Sequence, residues 1–154
     1  MAIPPIDAEL SIDDLDAVMA ALEIIRQKLP FLVGLSPDER RQLSKIGRKS
    51  QTFVVKALDM AAKHGDLMPR YFNIEEARRD LELFETLNPV LQSLNQLKEL
   101  VEDTQMVVGS EAYAAARLAY NTAKASGKNR GLDEVVSDLA QQFRKTRKTQ
   151  ATSD

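Results

Sequence analysis

The sequence predicts an all-α protein: an antiparallel bundle of four long helices plus a short C-terminal amphipathic helix. Two patterns carry that reading. Apolar residues return at three- and four-residue steps along most of the chain, the signature of helices with one covered stripe, and no stretch of useful length alternates apolar and polar residues as a strand does. Helix punctuation also falls where two of the stripes begin, at Ser36 and Asn73.

The first helix is expected from about Ser11 to Leu29, with Ile12, Leu15, Val18, Met19, Leu22, Ile25 and Leu29 on one stripe. Asp13, Asp14 and Asp16 crowd its start and Arg26 and Lys28 its end, the polarity that the helix dipole favours. Pro30 stops it. The apolar run Leu29–Leu35 is then read as a connector closing one end of the bundle; at seven residues it falls far short of the ~20 a membrane-spanning helix needs.

Ser36-Pro37-Asp38-Glu39 combines a Ser cap, Pro at the first helical position and Glu placed to close a capping box. A second helix of about 28 residues is predicted from there to His64-Gly65, with Gly65 available for the left-handed position of a helix end. Its stripe is Leu43, Ile46, Phe53, Val54, Ala57, Leu58 and Ala61. Asn73-Ile74-Glu75-Glu76 opens a third helix with Ala77, Leu81, Phe84, Leu87, Leu91, Leu94, Leu97 and Val101 on one face; Pro89 within it either kinks the helix or follows Asn88 as the first residue of a new one, and the surviving apolar phase favours the kink.

The stripe continues through Thr104, Val108, Ala112, Ala115, Ala119 and Ala123. A single helix of that span would measure roughly 80 Å, too long for a compact domain, so a reversal is expected at Glu102-Asp103-Thr104, with Gly109-Ser110 as the other candidate. Gly127–Gly131 reads as a turn, and Leu132, Val135, Val136, Leu139 and Phe143 mark the short last helix, with a frayed tail beyond Phe143. The domain reading is therefore an extension over residues 1–10, one helical bundle over 11–147 and a flexible basic and polar tail over 148–154. Basic residues dominate the second helix and acidic ones the third, which favours their antiparallel pairing.

Composition narrows function mainly by exclusion. Hydrophobic residues at 44% and charged residues at 29% belong to a globular chain, and a net charge of −2 names no partner. Without cysteine there is no thiolate nucleophile and no Cys-based metal site, and a single histidine rules out the paired Glu-x-x-His motifs of di-iron bundles. His64 is read as a helix-end or surface residue. Ser110 lacks the strand and the Gly-x-Ser-x-Gly spacing of a nucleophile elbow, and Gly127-Lys128 lacks the phosphate-loop spacing. No catalytic residue, cofactor or metal ligand is assigned. The opening residues carry no basic-then-apolar secretory pattern, so a cytoplasmic location is expected.

What remains is a surface. Gly109, Ala112, Ala116 and the neighbouring alanines let a second helix approach closely, while Tyr113, Arg117, Tyr120 and Lys124 follow at steps of four, three and four along one edge. These seven residues are the candidate interaction surface, with a protein partner or a second copy as first expectation. The alternatives are a small apolar or anionic ligand held between helices, and anionic-surface or nucleic-acid binding through Lys128, Arg130, Arg144, Lys145, Arg147 and Lys148.

The run Leu29-Pro30-Phe31-Leu32-Val33-Gly34-Leu35-Ser36-Pro37-Asp38-Glu39-Arg40-Arg41, with Asp103-Thr104 and Gly109-Ser110-Glu111-Ala112-Tyr113, resembles an uncharacterised family of small bacterial all-helical proteins of about this length. The likeness extends over nearly the whole chain from Leu29, with Gly47-Arg48-Lys49 where that family has Gly-Asp-Lys. It implies a bacterial source and a cytoplasmic helical bundle, and transfers no catalytic or ligand residue.

Overall fold

The structure, a computed structural model, describes residues 3–126 and 131–150, the stretch 145–150 by its backbone only. Every regular element among the described residues is helical: α1 (Ile12–Lys28), α2 (Pro37–Gln42), α3 (Arg48–Lys63), a 3₁₀ turn (Gly65–Leu67), α4 (Ile74–Ser126) and α5 (Asp133–Gln150). The chain divides into two compact units, one formed by Ala8–Gln96, the other by Met1–Asp7 with Leu97–Asp154.

In the Ala8–Gln96 unit the helix starts are fixed by side chains close in sequence. Ser11 Oγ accepts the Asp14 amide at 3.1 Å, and Asn73 Oδ1 accepts the amides of Glu75 and Glu76, both at 3.1 Å. At α2 the capping box closes in both directions: the Ser36 amide donates to Glu39 Oε2 at 2.8 Å and the Glu39 amide to Ser36 Oγ at 3.3 Å. The Ser36 amide donating to the Glu39 carboxylate, with the Ser36 hydroxyl beside it, holds that carboxyl below its ordinary pKa by stabilising the charged form.

The expected long second helix is broken. α2 ends after six residues, Leu43 adopts an extended conformation, and α3 begins only after Gly47, itself extended and without a side-chain cap. Leu43 and Ile46 preserve the helical phase, but Gly47 carries the backbone freedom that favours a break, and both apolar side chains are left exposed. α3 ends at His64, whose amide donates to the Met60 carbonyl at 3.0 Å; Gly65 opens the 3₁₀ turn instead of taking the left-handed position, which among described residues belongs to Gly131. Gln51 near the start of α3 donates to Glu85, three turns into α4, at 3.1 Å, an exposed side-chain hydrogen bond between the two helices. Ala61 of α3, 4% exposed, is the buried core residue among those described, flanked by half-buried Val54, Ala57 and Leu58; on α4, Ala77, Leu81, Phe84 and Leu87 are half-buried. The Leu29–Leu35 connector does not close an apolar end: Phe31, Leu32 and Val33 are exposed, Val33 to 80%.

The expected reversal near Asp103 does not occur, at Gly109-Ser110 or elsewhere: α4 is one helix of 53 residues, with Pro89 inside it. Four long helices therefore become one very long and two of ordinary length. The local chemistry explains this. Lys98 pairs with Glu102 at 2.7 Å one turn away, and Thr104 Oγ1 donates to the Leu100 carbonyl at 2.7 Å, so residues on both sides of Asp103 bond along the continuing helix. α5 is longer than expected, 18 residues reaching Gln150, because the Gln, Arg and Lys residues after Phe143 are good helix formers. Of the predicted turn, Gly127–Arg130 lies outside the described residues, and Gly131 has φ +70°.

Candidate functional site

The second half of α4 belongs with α5 to the Leu97–Asp154 unit, and at 100° per residue its side chains separate into two faces. Tyr113, Ala116, Arg117 and Tyr120 stand on the first. Leu139, Gln142 and Phe143, one turn of α5, face them, and the rings of Tyr113 and Phe143 lie near parallel at 15° with centroids 6.5 Å apart. Between the helices is an open cleft of about 200 Å³. Its walls are largely apolar, with the Arg117 guanidinium, the Gln142 amide and two phenols as polar groups, and Arg117 makes no ion pair among the described residues.

Roughly a third of a turn round the helix lies the second face: Leu97, Val101, Thr104, Val108, Ala112, Ala115 and Ala119, every one exposed. Leu100, Val101, Thr104, Gln105 and Val108 line a shallow groove along it. At its edge Glu111 Oε1 accepts the amide of Ile6 at 3.3 Å, tying the amino-terminal segment to this unit.

The seven predicted surface residues are thus divided. Tyr113, Ala116, Arg117 and Tyr120 meet in the cleft, Ala112 belongs to the open stripe, and Gly109 and Lys124 line neither. Leu139, Gln142 and Phe143 were the cleft residues sequence reasoning missed as a site; their one-turn spacing on an amphipathic helix was the available signal. Of the basic C-terminal group, Lys128 and Arg130 lie outside the described residues, as do the side chains of Lys145, Arg147 and Lys148.

Among the described residues no group of three or more His, Cys, Asp and Glu side chains is placed to hold a metal ion, and no helix is long and apolar enough to cross a membrane. No family model, curated protein or solved structure matches the chain.

Proposed function

We propose that this chain is a non-catalytic helical protein that acts by associating with protein through the apolar faces its own fold leaves open. The observation that carries the reading is the near absence of an interior. Among the described residues Ala61 alone of the apolar side chains is buried, while large ones such as Leu97, Val101 and Leu118 are more than half exposed, where a folded domain ordinarily covers most of them. Helices with an uncovered apolar stripe gain stability mainly when another surface covers it. A cytoplasmic, bacterial setting fits this role and rests on the sequence resemblance.

Light scattering combined with an apolar-surface dye tests the proposal. An assembly of at least twice the chain mass, or a monomer that binds the dye strongly, supports it. A strict monomer at high micromolar concentration that leaves the dye dark refutes it, because such a chain has covered its own stripes.

The second reading is a small-molecule carrier, favoured by the cleft: an apolar ligand with an anionic end would lie between Tyr113 and Leu139 and place its charge on Arg117. Native mass spectrometry of gently purified protein checks it, and reproducible absence of bound ligand removes it.

A further inference from the structure

The open stripe on α4 has a symmetry that selects its partner. Leu97, Val101, Thr104, Val108, Ala112, Ala115 and Ala119 follow one another at steps of 4, 3, 4, 4, 3 and 4, a spacing that reads the same in both directions about Val108. Side-chain size runs the opposite way on its two sides, larger before Val108 and alanine after it. Two such helices laid antiparallel with Val108 against Val108 put Leu97 level with the partner's Ala119, Val101 with the partner's Ala115 and Thr104 with the partner's Ala112. Each larger side chain then meets a small one, so the interaxial distance stays even along the seam. A face that complements its own reverse is what a two-fold, isologous interface requires.

We propose that a second copy of this chain covers the stripe, the two α4 helices pairing antiparallel about a two-fold axis at Val108. This rests on the association reading and names its partner. The seam is available: Leu97 is 53%, Val101 59% and the flanking Leu118 70% exposed, while α5 packs on the Tyr113 and Tyr120 side, roughly a third of a turn away. It is also chemically ready to be covered. None of its seven residues is charged, and the hydroxyl of Thr104, its polar side chain, already donates to the Leu100 carbonyl at 2.7 Å. From Leu97 to Ala119 the seam runs about 33 Å. With its flanks it withdraws on the order of 700 Å² per chain, or roughly 1,400 Å² in all, inside the 1,200–2,000 Å² range of stable interfaces.

The chain has no cysteine, so introduced thiols report without background. Full-length Val108→Cys, Met106→Cys, Leu97→Cys and Ala119→Cys are oxidised gently at low micromolar concentration, each first checked for native helicity by circular dichroism. Met106, 71% exposed on the opposite side of the helix, is the control. Val108→Cys is expected to form a disulfide-linked dimer at least about tenfold faster than Met106→Cys, because only residues at the axis bring their own copies within disulfide reach. Leu97→Cys and Ala119→Cys are each expected to stay monomeric alone and to cross-link when mixed. Equal rates for Val108→Cys and Met106→Cys, or self-linking of Leu97→Cys, overturn the seam. A chain that is dimeric by light scattering without a Val108→Cys cross-link overturns this register and leaves the association reading standing. A dye-binding monomer assigns the stripe to a different protein, whereas a dye-silent monomer refutes the parent reading as well.

Discussion

Replacing Phe143 by alanine tests whether α5 is held on α4 by the ring pair at the cleft. Phe143 is 39% exposed, so more than half of a side chain that offers about 150–250 Å² is out of water. Roughly 100 Å² lost at ~25 cal/mol per Å² amounts to about 2.5 kcal/mol, lowered to about 2 by residual burial in the unfolded chain. Loss of stacking against Tyr113, 6.5 Å away, adds about 0.5–1.5 kcal/mol. The expected outcome is therefore a penalty of about 2.5–3.5 kcal/mol on the docking of α5. Amide hydrogen exchange of Asp133–Arg144 reads it directly as protection lost by roughly 70- to 370-fold, with Phe143→Leu recovering part and the first half of α4 unaffected. Unchanged exchange in α5 would refute the reasoning, since docking would then owe nothing to the ring pair.

Other substitutions probe the backbone. Gly109 lies inside α4 with no atom within 4 Å of where a Cβ would stand, so Gly109→Ala should raise stability by about 1 kcal/mol in urea unfolding. Gly131, at φ +70°, is the opposite case: Gly131→Ala should cost about 1 kcal/mol and weaken α5, read by the same titration. Ser36→Ala should cost about 1 kcal/mol through the lost cap of α2, seen as faster amide exchange at Asp38–Arg40. The Glu39 carboxyl is held below its ordinary pKa, so its contribution is complete above the unfolded carboxylate range and disappears as pH falls through the lowered folded value. Exchange protection at α2 should follow that sign, and Glu39→Gln should abolish the dependence.

What was legible in the sequence is what neighbouring residues decide. Ser36 and Asn73 cap the helices they were expected to cap, because a cap needs only the three residues that follow it, and Ser11, where the first helix was expected to start, does the same. The break at Gly47 was hidden because Leu43 and Ile46 keep the apolar phase on either side of it. Periodicity reports which side chains could share a face, and is silent on whether the backbone between them stays helical. The reversal expected near Asp103 failed for a different reason. It was inferred from the compactness of an isolated domain, while the residues there, from Lys98 to Gln105, contain no Gly or Pro and support one another along the helix. At the candidate surface, the steps from Tyr113 to Arg117 and Tyr120 gave one wall of the cleft. Its other wall, Leu139 to Phe143, depends on how α5 returns, which spacing within one helix does not encode.

The unbroken run of α4 also bears on how the molecule comes to be. Its hydrogen bonds each close over four residues, so the rod forms in about a microsecond, before any distant part of the chain needs to be found. If α4 pairs as proposed, the slow step is encounter instead of search, because a newly made chain meets water with a nonpolar flank already displayed. Chain concentration at the site of synthesis then weighs on whether that flank meets its own copy or a stray surface.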